Sequence, residues 1–374
     1  MVRKVCIIGG GVSGFFLGAS LAKQGDSVVI YERDASIDCR RQGYSLTMRP
    51  QSLRLLQEIG LEFRVESNVA HDTLFKWYIN GVTGDTMHHA SYHSRVHIPT
   101  REFESKERTV VVPREELRRK LLDKALENGV QVNWDVKIEK DNLLQLIKDN
   151  DIVFACDGAH SRCRKYLLPN ESTTDSHLIN VYGLTPVKKM IDLEPKLKSC
   201  HAQVLDGIYR LFTKPFNEEF LMWELTWPEN ETKDIDIYNY SPEEAIKDCR
   251  DITKLKWPKV EWASEMTKAT NVDDVTIHAL HSLDPSTVNW RDTKVIFVGD
   301  AAHPMVPYLG LGANEAIFGA ALLAKEGIEP YLQWLEDRNG SAALSVRKSY
   351  NRLEFCHSRD TIDMEKLKEH HKWN

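Results

Sequence analysis

The spacing of apolar and polar positions changes period several times along the chain. Residues 3 to 8 (RKVCII) read as a short buried strand, glycines follow, and apolar residues then recur at helical spacing from Val12 to Lys23, closed by Gly25. A second strand-like run, Ser27 to Glu32, completes one βαβ unit. Helical spacing returns from Pro50 to Ile59, ended by Gly60, and from Arg114 to Asn128, ended by Gly129 and followed by the strand-like VQVNW. Between these helices, LFKWYINGVTGDTMHH carries an Asn80-Gly81 pair among aromatic and β-branched residues, which predicts an antiparallel hairpin.

From about Ser172 to Leu283 the strand-like pieces HAQVLDG, YRLFTK and FLMWELTW are separated by turn residues and predict a mostly antiparallel sheet. Another buried-strand pattern, DTKVIFVGDAAHP, then leads into a helix from Gly312 to Lys325 and a charged helical tail. The expected class is α/β: a Rossmann-type unit formed by residues 1-71, 100-171 and 290-374, with an inserted, mostly antiparallel β-sheet unit formed by 72-99 and 172-289.

Composition narrows the partners. The 374 residues are 42% hydrophobic and 28% charged, with a formal net charge of -6, so no basic excess is available to neutralise a nucleic acid. No run of 18 apolar residues suggests a membrane span, and the short apolar run at the N-terminus breaks at glycines, unlike a secretory signal. Seven cysteines without C-x-x-C spacing fit a reducing cytoplasm better than a disulfide framework.

The chemistry starts at Gly9-x-Gly11-x-x-Gly14, placed directly after a strand and opening a helix. Gly9 permits the tight turn, Gly11 lets a pyrophosphate approach the backbone, and Gly14 lets helix and strand pack closely. The amides that follow, at Val12 and Ser13, add the positive end of the helix dipole. Glu32 ends the next strand, where a carboxylate accepts from ribose hydroxyls and repels a 2'-phosphate; Arg33 beside it joins the same expected site. FAD or NAD satisfies this pattern, whereas bound NADP does not. Two distant segments, Asp157 to Arg164 after DIVFA and Gly299 to Pro304 after KVIFV, each put a carboxylate at the C-terminal end of a strand, where open α/β sheets bind ligands.

With these three motifs in this order, the chain resembles the class A FAD-dependent monooxygenases, the 4-hydroxybenzoate hydroxylase-like family with its tetracycline-inactivating and salicylate hydroxylase-like members. The resemblance spans nearly the whole length. It implies that residues 1-71, 100-171 and 290-374 bind FAD tightly without a covalent link and that the inserted unit binds substrate. Asp300 would hold the ribityl or ribose portion, Asp157 and Arg164 would serve FAD and the reduced nicotinamide, and Arg114 would reach the flavin nucleotide. Arg41 would lie near the flavin ring, with Arg40 as the alternative. The stretch Pro307, Gly310, Gly312, Ala313 and Asn314 resembles the loop whose amides face the flavin pyrimidine, where they would stabilise negative charge on the reduced ring. The sequence departs from the family pattern at Leu311 and Gly319, which removes polar groups that relatives carry and bears on pocket polarity.

The activity implied is hydroxylation of a small aromatic or polycyclic substrate by O2 through a C4a-hydroperoxyflavin, with NADH or NADPH as reductant and no side-chain nucleophile. The alternatives are a flavin-binding oxidoreductase or an NAD-linked dehydrogenase without oxygenase activity. Tyr209, Arg210, Met222 and Trp223, on strands of the inserted sheet, are candidate substrate contacts. His88, His89, His93 and His97 look like a cluster but lack a carboxylate or cysteine companion, so no metal is expected. A monomer or homodimer acting on a small molecule is the expected assembly.

Overall fold

The computed structural model describes residues 2–39, 44–62, 75–91, 109–232, 235–360 and 362. A five-stranded sheet runs in the spatial order Val295–Phe297, Ile152–Ala155, Lys4–Ile8, Ser27–Tyr31, Gln131–Asn133, with every neighbouring pair parallel. The central strand Lys4–Ile8 is buried on both faces, which accounts for its unbroken apolar run VCII. The first helix, Val12–Lys23, packs between Arg114–Glu127 and Gly312–Glu326 and is buried along almost its whole length. Strands from residues 4–31, 131–155 and 295–297 thus meet in one sheet.

The second sheet has seven strands in the order Val275–Ile277, Leu178–Pro186, Phe220–Pro228, Arg210–Pro215, Cys200–Leu205, Phe75–Asn80, Thr86–Ser91. All its pairings are antiparallel except Cys200–Leu205 with Phe75–Asn80, which is parallel because the two strands are separated by more than a hundred residues and a full return through the other sheet. One face is covered by two helices, Pro242–Lys256 and Glu261–Ala269, over an apolar core that includes Trp223, Trp227, Trp257 and Trp262. The period-two signal of the strands hid these helices. The first has a capping box, Ser241 with Glu244, and a proline at its start, a signature present in the sequence.

The hairpin forms, with a wider turn than an Asn-Gly pair requires. Asn80 N–H donates to the Asp85 carbonyl at 2.9 Å, and the Asn80 side-chain oxygen accepts from the amides of Val82 and Thr83 at 2.9 and 3.0 Å. The left-handed residue is Gly84 (φ 78°), not Gly81. Gly81 is needed for another reason, since a Cβ there would overlap the Trp257 indole.

Candidate functional site

The three sequence motifs converge at one edge of the parallel sheet. The Cys156 amide donates to the Ile8 carbonyl at 2.7 Å and the Val298 amide to the Ala155 carbonyl at 2.8 Å, so the loops leaving these strands start side by side. Gly9 has φ 105°, and a Cβ on it would run into the Cys156 backbone; a Cβ on Gly14 would overlap the Gly9 carbonyl oxygen. Gly11 is different. A Cβ there would meet nothing within 4 Å, and the helix it opens has neither a side-chain cap nor an acidic residue in its first turn. The free amides at Val12 and Ser13 therefore face open space, the arrangement that binds phosphate at helix N-termini.

That space is part of a cavity of about 670 Å³ lying between the parallel sheet's edge and the uncovered face of the seven-stranded sheet. Gly11, Val12, Ser13, Arg114, Asp300, Pro307, Gly312, Ala313 and Asn314 all border it. Asp300 is surrounded by protein yet open to the cavity; burial raises its pKa, and the Arg114 cation opposes the rise. Arg114 lies over the Tyr44 ring, 5.7 Å from its centroid. The N-terminus of Gly312–Glu326 also lacks a side-chain cap. Its Asn314 instead joins two segments: its oxygen accepts from Arg49 N–H at 2.9 Å and Ser52 Oγ at 2.8 Å, and its amide donates to the Thr47 and Gly310 carbonyls at 2.9 and 3.2 Å.

Two uncapped helix starts, a cavity-facing carboxylate and a glycine whose missing side chain leaves room for a phosphate make a donor set that fits FAD. A family model described as FAD binding domain matches residues 3–334. The chain belongs to that family of flavin monooxygenases. Monooxygenase cfoF of Aspergillus candidus is 25% identical over 361 residues, covering 87% of this chain and 82% of that protein. The 3-amino-4-hydroxybenzoate 2-monooxygenase PtnB3 of Streptomyces platensis is 25% identical over 339 residues, covering 86% and 78%. Klebsiella pneumoniae HpxO, solved with FAD and uric acid, superimposes with a TM-score of 0.73 at 18% identity, covering 98% and 91% of the two chains. The flavoprotein is an FAD-dependent monooxygenase, and FAD is its cofactor.

Several motif residues of the flavoprotein turn out to hold the loops rather than border the cavity. Glu32 is buried; it accepts from the Gly10 amide at 2.5 Å and the Asp34 amide at 2.8 Å. Arg118, which the sequence reading missed, donates from Nε to the Gly10 carbonyl at 2.7 Å and pairs with Asp34 at 3.1 Å and Glu32 at 3.5 Å. It lies one helical turn after Arg114 on the buried side of the same helix, a spacing that could have revealed it. Arg33 is exposed outside the cavity. Arg164 donates to the Ala301 and Ala159 carbonyls, both at 2.6 Å, and so ties two motif loops together. Ser161 caps the helix Arg162–Leu167. Asp157 accepts from the Cys163 amide at 3.1 Å through one oxygen; the other is buried without a donor among the described residues. His303 is wholly buried against Trp334, and burial lowers its pKa to about 4, so it packs as a neutral ring. Arg40 and Arg41 lie outside the described residues, as do His93 and His97.

Of the four candidate substrate contacts, Arg210 and Met222 border the cavity and Tyr209 and Trp223 do not. Trp223 points to the helix-covered face, where its indole donates to Thr185 and Thr270 hydroxyls at 3.1 and 2.9 Å, and Tyr209 packs in the same apolar cluster. The reason is strand alternation: Met222 and Glu224 face the cavity, so Trp223 between them cannot. The same alternation brings His201, Gln203, Phe212 and Lys214 to the cavity, none of which was singled out from the sequence.

This face is unusually charged for a sheet interior. Arg210 Nη1 meets Glu224 at 2.9 Å, Tyr182 O–H donates to the other Glu224 oxygen at 3.0 Å, and the Arg210 guanidinium lies 4.3 Å from the Tyr308 ring centroid. Burial lowers the pKa of Lys214 to about 7 while Glu224 opposes the drop, and burial keeps His201 well below the usual histidine range. Lys214 donates to the Ser45 carbonyl at 3.0 Å and the Thr47 hydroxyl at 3.1 Å. His88 borders the cavity whereas His89 is exposed, because they alternate on a strand rather than sharing a helical face. Gly319 does not face the cavity either: a Cβ there would press on Trp334, so its small size serves the contact between Gly312–Glu326 and Ile328–Glu336. No helix among the described residues is long and apolar enough to cross a membrane.

Proposed function

We propose that the chain hydroxylates a small aromatic or polycyclic compound bound between the flavin and the charged face of the seven-stranded sheet, with NADH or NADPH as reductant and O2 as oxidant. Bound FAD supplies the redox chemistry and the activation of oxygen. The protein's share is binding, orientation and exclusion of water. In this reading residues 1-71, 100-171 and 290-374 form the FAD-binding unit, and 72-99 with 172-289 form the substrate-binding unit. The Gly11 to Ser13 amides take the pyrophosphate, Asp300 accepts from hydroxyls of the cofactor, Glu32 serves the adenosine ribose with the acceptor capacity left by Gly10 and Arg118, and the Gly312 to Asn314 amides face the flavin ring. Substrate meets Arg210 and Met222 on the opposite wall.

The observation that carries the proposal is the single cavity shared by both parts: the uncapped helix starts lie on one wall and a row of alternate, polar strand residues on the other. The 3-amino-4-hydroxybenzoate for which the Streptomyces platensis relative is named and the uric acid bound to Klebsiella pneumoniae HpxO are both planar ring compounds and agree with it. The test is an absorption spectrum of the purified chain, then oxidation of NADH and NADPH under air with phenolic and polycyclic compounds. Flavin bands with substrate-stimulated oxidation and an oxygenated product are expected. A chain that neither contains nor takes up FAD overturns the proposal.

A further inference from the structure

Lys214 is a buried amine presented to the cavity. It lies on the cavity face of the strand Arg210–Pro215, two residues after Phe212 and directly across from Met222 on the neighbouring strand. Its Nζ donates to the Ser45 carbonyl at 3.0 Å and to the Thr47 hydroxyl at 3.1 Å. The Met222 sulfur accepts from the same Ser45, from its amide at 3.4 Å and its hydroxyl at 3.2 Å, so this pair of sheet residues grips the strand Ser45–Met48. The Thr47 carbonyl in turn accepts from Asn314 at 2.9 Å, which ties the corner to the loop proposed to face the flavin ring.

A neutral amine beside two such acceptors gives both its hydrogens to them and keeps a lone pair, whereas an ammonium keeps a third N–H. In either state the nitrogen has one further position, and the residue borders the cavity. Burial lowers its pKa to about 7, and Glu224 opposes the drop. Among the described residues, the ionisable groups that face it are Glu224 on the next strand, His201 and, past it, Lys76 on strands across the sheet, and Arg49 at the end of Ser45–Met48. Glu224 is held by Arg210 and Tyr182, and burial keeps His201 neutral, with the Lys214 and Lys76 cations adding to the effect. Lys214 is thus the member of this wall that changes protonation near neutral pH.

We propose that Lys214 shares one proton with an aromatic hydroxyl of the substrate: the hydroxyl hydrogen passes to Nζ, the O–H bond breaking as the N–H bond forms, and the phenolate stays paired with the ammonium beside Ser45 and Thr47. No other reactant is consumed. An ordinary aromatic hydroxyl keeps its proton to about pH 10, so the match is best for an electron-poor ring whose hydroxyl ionises closer to neutral pH. Phe212 and Met222 flank the nitrogen with surfaces suited to such a ring. The proposal rests on the oxygenase reading of the cavity, which fails separately if the chain takes up no FAD.

The FAD-loaded chain is titrated with 4-nitrophenol, colourless when neutral and yellow as the phenolate, and with 4-nitroanisole, which has no proton to give. Binding is followed by difference absorption spectra and by calorimetry in two buffers of different ionisation heat. In the native chain the bound nitrophenol is expected to ionise at least about one pH unit lower than in water, a tenfold preference for the phenolate. At pH 8, where Lys214 is mostly neutral and the free ligand mostly ionised, binding should take up about one proton. Lys214→Met is expected to weaken nitrophenol binding about tenfold or more relative to nitroanisole, to move the ionisation of bound ligand upward, and to take up no proton. Lys214→Arg keeps a fixed charge, so it should retain the yellow form yet take up no proton, which separates a proton-holding amine from a simple cation and serves if the methionine variant does not fold. A native chain that binds neither compound, binds nitrophenol in its neutral form or takes up no proton at pH 8 overturns the assignment, as does proton uptake that persists in the variants.

Discussion

Replacing Lys214 with methionine should alter how stability depends on pH. Lys214 is buried on the strand Arg210–Pro215, with its ammonium held by the Ser45 carbonyl and the Thr47 hydroxyl. Burial lowers its pKa from 10.5 to about 7 in the folded chain. In the unfolded chain it keeps its proton to above pH 10, so between these values the unfolded state binds more protons and stability rises with pH. The cost of burying the charge is thus present in full below pH 7 and fades as pH climbs toward 10.5. Each pH unit is worth about 1.4 kcal/mol, and the site is half titrated at pH 7, so the native chain should gain about 2 kcal/mol over Lys214→Met between pH 7 and pH 9. Urea unfolding of both proteins at pH 6, 7, 8 and 9, with FAD in fixed excess, measures the difference. Loss of the two hydrogen bonds shifts the variant's curve equally at high pH and does not mimic the slope. Two curves that stay parallel from pH 7 to 9 refute the reasoning.

Asn314→Ala removes four hydrogen bonds that join Thr47, Arg49, Ser52 and Gly310 and leaves buried groups unmet, which should cost about 2–4 kcal/mol in a denaturant titration; a change under about 0.5 kcal/mol would contradict the clamp. Gly14→Ala places a methyl group against the Gly9 carbonyl, and the expected result is FAD affinity at least about tenfold weaker, from roughly 1–3 kcal/mol of overpacking; native flavin content would count against it. Trp223→Phe should lower stability by about 1–3 kcal/mol through lost packing and the loss of two indole hydrogen bonds, to hydroxyls that keep each other and the Met266 carbonyl as partners, while leaving substrate KM in place, because the indole faces the helices. A change in KM with stability unaltered would return Trp223 to the pocket.

Local pattern announced the cofactor half well. Glycines at 9, 11 and 14 can be read from sequence because each answers a short-range demand: a turn at φ 105°, an approach for phosphate, a contact between neighbouring helix and strand. The roles of Glu32 and Arg164 were less legible. Their partners, Gly10 and Arg118 for one, Ala159 and Ala301 for the other, combine local loop neighbours with residues from distant parts of the chain. Arg118 looked like one more helical charge until the fold turned it inward.

For the cavity wall formed by the second sheet, the alternate positions Arg210, Phe212 and Lys214, Met222 and Glu224, and His201 and Gln203 were present in the sequence as a mostly polar row, interrupted by Phe212 and Met222, on strands whose other positions are mostly apolar. It implied a polar face but not what that face would look upon. A strand's period of two separates its residues into two sets without saying which set meets solvent, a helix or a ligand. Helices Pro242–Lys256 and Glu261–Ala269 cover one side and thereby place Trp223 in a core and Arg210 in a cavity. The sequence by itself determined the βαβ start, the glycine-rich loop that opens the first helix and the alternating strands, since these depend on residues close together in the chain. Only the tertiary structure decided which row faces the cavity and brought Arg352, from the far end of the chain, beside Tyr78, because those contacts exist only once both sheets and the last helix have packed together.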